Sequence, residues 1–162
     1  MKKLLLLLLV FLLVCPFVWF YLTDRCYFLC PIKYQDSIII RADNRGDGFF
    51  ATPRSGNRLH QGVDLSADIG TPVLASRLGI VVRAERNKGM GNFVIIRHFG
   101  GIRTLYGHLS EIYVRPRQIV RQGDVIGAVG KTGNANYRNI QPHLHFEVKK
   151  DGAAQDPLEY LK

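Results

Sequence analysis

From Arg45 to the C-terminus, glycine recurs every few residues and cuts the chain into runs too short for a helix. The runs are rich in β-branched and aromatic residues: Val63 to Ser66, Pro72 to Ala75, Ile80 to Ala84, Phe93 to Phe99, Ile102 to His108, Ile119 to Val120, Val125 to Val129 and His143 to Val148. Short strands between turn residues predict a mainly β fold, an antiparallel sandwich or open barrel, rather than a helical or α/β one. No long amphipathic helical pattern occurs. Runs such as Phe93 to Ile96 do not alternate with polar residues, as expected of strands covered on both faces. The roughly 118 residues from Arg45 to Lys162 suffice for one independent core and leave no room for a second domain.

The other end of the chain obeys different rules. Leu4 to Leu22 reads LLLLLLVFLLVCPFVWFYL, 19 residues without a charge. As a helix rising ~1.5 Å per residue it covers most of a hydrocarbon layer ~30 Å thick. A cleaved secretory signal, a lipoprotein signal ending at Cys15 and an uncleaved anchor compete for this run. Bulky residues crowd the place where a small-residue cleavage site should lie, and Val14 precedes Cys15 where lipoprotein processing wants a small residue. The expectation is therefore a cytoplasmic stub (1–3), a transmembrane anchor (4–22), a juxtamembrane linker (23–44) with Ser37 to Ile40 as a candidate edge strand, and the β domain (45–162). Lys2 and Lys3 before the run are nearly balanced by Arg25 and Lys33 after it, so the charge rule orients it only slightly. Cys26 and Cys30, just beyond it, suit either a small disulfide or free thiols. A net charge of +9 points to an anionic partner, a cell-wall polymer or a lipid surface. The basic residues are scattered without interleaved aromatics, which speaks against nucleic acid.

The chemistry-bearing residues fall in three segments. In QPHLHFEVKK, Gln141 to Lys150, strand alternation sends His143 and His145 to one face and Leu144 and Phe146 to the other. In RLHQGVDL, Arg58 to Leu65, a bend at Gly62 can bring the His60 imidazole beside the Asp64 carboxylate, a neutral nitrogen and an anionic oxygen that suit Zn²⁺. In TLYGHLS, Thr104 to Ser110, alternation puts Thr104, Tyr106 and His108 on one face, which makes Tyr106 a candidate for supporting the site or contacting substrate. Four of the five histidines lie in these segments. Catalytic zinc takes three protein ligands and leaves a position for water. His60, Asp64 and one histidine of the HxH pair meet that number, while His108 and the remaining histidine can carry protons. No HExxH motif supplies a glutamate for that role. Such a set predicts amide hydrolysis by a metal-activated water. His98, in VIIRHF, is expected to serve packing or a hydrogen bond within the sheet.

With these residues assembled, the chain resembles the lysostaphin/LytM family of zinc metalloendopeptidases, which cut peptide cross-links in bacterial peptidoglycan. The likeness runs from about residue 47 to 161 through HQGVDLSADIGTPVLAS, GNFVIIRH, TLYGHLS, VRQGDVIGAVGKTG, PHLHFEV and DPLEYL. It implies the duplicated hybrid motif fold, zinc ligands His60, Asp64 and His145, and catalytic imidazoles His108 and His143. It also implies a groove over one zinc ion, a substrate of stem peptides and cross-bridges, and work in the bacterial cell envelope on the periplasmic or extracellular side. Some members of the family have lost ligands and act as activators of other wall hydrolases, so a membrane-tethered regulator is the alternative; all five positions are present here, which favours activity. The departure from the family pattern is Asn134 to Gln141, NANYRNIQ, longer than the usual small-residue turn, which puts Tyr137 and Arg138 on the expected groove rim as substrate-contacting candidates.

Overall fold

The computed structural model describes Val14, residues 27–44 and residues 46–162. The apolar run apart from Val14, and Cys26 with its pairing to Cys30, lie outside the described residues. Among the described residues no helix is long and apolar enough to cross a membrane.

Two small hairpins, β1 (Ala42–Asp43) with β2 (Gly46–Asp47) and β3 (Pro53–Arg54) with β4 (Arg58–Leu59), precede the main strands. There follow β5 (Val63–Ser66), β6 (Pro72–Leu74), β7 (Gly79–Asn87), β8 (Gly91–Arg97), β9 (Ile102–Leu109), β10 (Glu111–Ile112), β11 (Ile119–Val120), β12 (Val125–Ala128), β13 (His143–Lys150) and β14 (Ala153–Gln155). Among the described residues from 27 on, helix is confined to two single 3₁₀ turns, Gly133–Ala135 and Pro157–Glu159. The fold is mainly β, as the glycine-punctuated runs predict.

The large sheet has the order β11-β7-β8-β9-β13-β14, and β5 joins the same edge of β13 as β14 does. Each strand pairing is antiparallel. The sheet stays open, and no closed barrel forms among the described residues. A small sheet, β10-β12-β6, packs over one face, and the core lies between them. Val73 and Ile126 from the small sheet meet Val94, Ile96, Tyr106, Leu144 and Phe146 from the large one. The β7–β8 hairpin runs beyond the expected strands to Asn87 and Gly91. Its tip carries Glu85, Arg86 and Lys88 in solvent, so cross-strand backbone pairing continues where no apolar pattern announces it.

Residues 27–44 pack against this unit. Phe28 and Ile32 are buried, and Phe28 meets the rings of His98 and Tyr160 edge-on at 5.5 and 5.6 Å. The backbone of Ile39 to Arg41 runs along the outer edge of β5, with Ser66 N–H donating to the Ile39 carbonyl and Arg41 N–H to that of Asp64. His98 is enclosed too, its ring nitrogens 2.9 Å from the Leu78 carbonyl and 2.8 Å from the Thr104 hydroxyl.

Candidate metal and catalytic site

Strand pairing does most of the assembly. β5 lies antiparallel to the first half of β13 in a register that sets Asp64 directly opposite His145. Gly62 makes the approach possible, because a Cβ there would overlap the Phe146 carbonyl. Gly48 is similarly pressed against Asp64, whose N–H donates to the Gly48 carbonyl at 2.8 Å. His60 enters from the loop before β5, held by backbone bonds to Ala51 and Thr52.

Three donor atoms converge there. His60 Nε2 stands 3.0 Å from His145 Nδ1 and 3.1 Å from Asp64 Oδ1, and the last two are 2.9 Å apart. Ligands bound tetrahedrally to one zinc stand about 3.3 Å apart, so the triangle fits such an ion with little adjustment. Among the described residues this is the group of histidine and carboxylate side chains able to hold a metal. The tautomers agree: His60 Nδ1–H donates to the Phe49 carbonyl at 2.7 Å and His145 Nε2–H to Glu147 Oε1 at 3.0 Å, leaving one lone pair on each ring for the centre.

Around the triangle lies a set of charges that the sequence did not single out. Asp64 Oδ2 accepts from Arg41 Nη2 at 3.0 Å and Arg54 Nη2 at 3.2 Å, so its other oxygen is the one aimed at the histidines. Arg41 also pairs with Asp43 at 2.6 Å, and Asp43 accepts from Gln141 N–H at 3.0 Å. Glu147 is buried and shared between His145 and Lys149. Burial alone would raise the Asp64 carboxyl, but the rings of His145 and His60, which donate to it when protonated, hold it well below the usual carboxylate range. Burial disfavours a charged His145, yet the hydrogen bonds and negative charge of Asp64 and Glu147 outweigh it and raise that ring to about 9 in the metal-free protein.

His108 and His143 stand beside the triangle with ring centres 5.0 Å apart. Each donates Nδ1–H to a backbone carbonyl, Thr132 at 2.9 Å and Gln141 at 2.7 Å, which leaves Nε2 as a free acceptor. His143 Nε2 is 3.9 Å from Asp64 Oδ1. Burial, reinforced by the neighbouring imidazoles, lowers His108 to about 3; burial lowers His143 as well. His108 is therefore a neutral base at any ordinary pH, and burial moves His143 in the same direction.

His108 reaches this position through a break in strand alternation. Between Asn92 and Val94 of β8 the register against β9 shifts, so that β9 carries an extra residue. His108 there adopts φ 63°, a left-handed conformation rare outside glycine and asparagine, stabilised by its N–H to the Met90 carbonyl at 2.8 Å. Tyr106 does not follow. It lies fully buried on the core side, packed on Phe146 with its hydroxyl bonded to Ser76 N–H and Thr104, and does not reach the groove. The shared face expected of Tyr106 and His108 is thus corrected by the bulge. Tyr137 is exposed on the groove wall; Arg138 is exposed but not among the residues that line it. The groove over the five residues has a volume of about 1240 Å³ and is walled by the hairpin region around Phe50 to Leu59 and the turn around Asn134 to Ile140.

Residues 58–157 match the model of Peptidase family M23. The chain belongs to that family. It is 46% identical over 101 residues to DD-carboxypeptidase/endopeptidase Mpg of Neisseria meningitidis serogroup B, a match spanning 62% of this chain and 22% of Mpg. In structure it is similar to the catalytic domain of the antimicrobial peptidase lysostaphin from Staphylococcus simulans, at 34% identity and a TM-score of 0.61 over 73% of this chain and 91% of that one. A zinc-containing peptidase from Vibrio cholerae superposes at 29% identity and a TM-score of 0.66, covering 82% of this chain and 39% of its own. The lysostaphin-type resemblance read from the three motifs is therefore correct.

Proposed function

We propose that this M23 chain is a zinc-dependent endopeptidase that hydrolyses the peptide cross-links of bacterial peptidoglycan. The reading is carried by the meeting of His60, Asp64 and His145 at one point beside two further imidazoles, His108 and His143. His60 Nε2, Asp64 Oδ1 and His145 Nδ1 would hold the ion, with Glu147 fixing the ring of His145 and Arg41 and Arg54 fixing the carboxylate of Asp64. Bound zinc supplies a Lewis acid for the scissile carbonyl and lowers the pKa of a coordinated water toward ~7. Of His108 and His143, one ring would take the water's proton at Nε2 and then, protonated, donate a hydrogen bond to the oxygen that gains charge, while the Nε2 of the other would accept a hydrogen bond that orients the water. Their burial suits this, since a ring kept neutral is ready to accept.

The relatives named as peptidases support the reaction class. The run Leu4 to Leu22 would anchor the chain in the membrane and hold the domain on the periplasmic or extracellular side, next to its polymer. The test is release of peptide fragments from purified sacculi by the zinc-loaded full chain, read by mass spectrometry. Release that disappears with chelator and returns with zinc is expected. A chain that releases nothing alone yet stimulates a partner hydrolase would establish the tethered-regulator reading instead.

A further inference from the structure

The floor of the groove does not stop at His145. On β13 the same face continues with Glu147 and Lys149, and the antiparallel register carries it across the sheet. Glu147 lies opposite Leu105 of β9, and Leu105 opposite Ile95 of β8. One step further out, Lys149 lies opposite Arg103 and Arg103 opposite Arg97. Beyond the histidines there is thus a half-exposed apolar step, Ile95 and Leu105, and then a row of three cations on three adjacent strands. These residues line a shallow cavity of about 330 Å³ that shares Glu147 with the main groove.

Like charges set directly opposite across strands destabilise a sheet. The row keeps three of them. Lys149 is engaged with Glu147 and Gln61 at 3.0 and 3.1 Å. Arg97 and Arg103 are exposed, and their side chains make no hydrogen bond or ion pair among the described residues. The two carboxylates on this face are already taken, Glu147 by His145 and Lys149, Glu85 by Arg83. Two guanidinium forks next to each other over a concave floor are suited to a planar carboxylate, which they can bind in bidentate fashion.

We infer that Arg97, Arg103 and Lys149 form a subsite for a free carboxylate of the substrate peptide, resting on the peptidase reading of the groove. Lys149 lies four steps along the strand from His145, about 13 Å at ~3.3 Å per residue. An extended peptide lying along the floor would present its acid about three to four residues from the cleaved bond, with the apolar step beneath the backbone between them. The subsite therefore selects peptides that carry an acid at that distance and disfavours those in which it is amidated.

The experiment uses the full chain with His108→Ala, in which turnover is slowed enough for binding to be read before cleavage. Two dye-labelled peptides spanning a cross-link are compared by fluorescence anisotropy, one with a free carboxylate at that distance and one with the amide. The free acid should bind about tenfold more tightly, the scale of one charge-assisted contact, and the preference should shrink in 1 M salt. The double substitution Arg97→Gln with Arg103→Gln should erase the preference, leave amide binding unchanged and not lower the melting temperature. Equal affinities in the parent chain, or equal loss for both peptides in the double variant, would overturn the subsite. So would a double variant that keeps the peptide preference and loses only binding to phosphatidylglycerol vesicles. If the chain with His108 intact cuts both peptides equally, the subsite falls and the peptidase reading stands; if it cuts neither but the binding preference holds, the reverse is true.

Discussion

His145 and His108 carry the same side chain, both are buried, and their ring centres lie 5.8 Å apart. The protein nevertheless drives them in opposite directions, His145 up to about 9 and His108 down to about 3. Burial pushes both down. What separates them is the partner on the second nitrogen: Asp64 and Glu147 flank His145, whereas His108 faces a neutral carbonyl and two imidazoles. A histidine between two carboxylates in a dry site attracts positive charge, a proton or a metal ion. A histidine among carbonyls stays neutral and waits for a proton from elsewhere. On the proposed reading, adjacent positions in one groove would thereby be specialised for holding a cation and for moving a proton.

The largest consequence of breaking this contrast falls on the cation side. Replacing His145 with Ala should reduce fragment release from sacculi below detection, because both the metal and the proton trap are lost. His108→Ala should cost less, ~10²–10⁴ in rate, the usual worth of a general base; steady-state hydrolysis of a defined cross-linked peptide at saturating zinc measures it. Glu147→Gln keeps the hydrogen-bonding shape but removes a charge from beside His145, and chelator-buffered titration should find zinc affinity down by ~10–100-fold.

The smallest effect is a slope. His145 must give up its proton to bind metal, so zinc affinity should rise ~tenfold per pH unit toward about 9 and level off above it. The sign for stability is opposite. Because the folded pKa lies above the ordinary 6.5, the metal-free protein enjoys this ring's contribution in full below 6.5 and loses it as the pH rises through about 9. Melting temperature of the chelated protein against pH reads that loss directly.

Much of this was visible in the order of residues. Alternation along the HxH strand correctly separates His143 and His145 from Leu144 and Phe146, since the first pair faces the groove and the second is fully buried in the core. The same rule, carried one step further, would have found Glu147, which shares the face of His145. It failed at Tyr106, because a bulge and the left-handed backbone of His108 are set by the approach of Met90 and Thr132, contacts with no local signature. Arg41 was equally hidden. It acts on a carboxylate 23 residues away, through an edge of β5 that exists only once the sheet has formed.

The most direct test of a division between metal-holding and proton-moving residues is bound zinc per chain after equilibrium dialysis, compared across five single alanine variants. One ion per chain is predicted for the parent, His108→Ala and His143→Ala, and none for His60→Ala, Asp64→Ala and His145→Ala. Zinc retained by the last three, or lost equally from all five, would contradict the account.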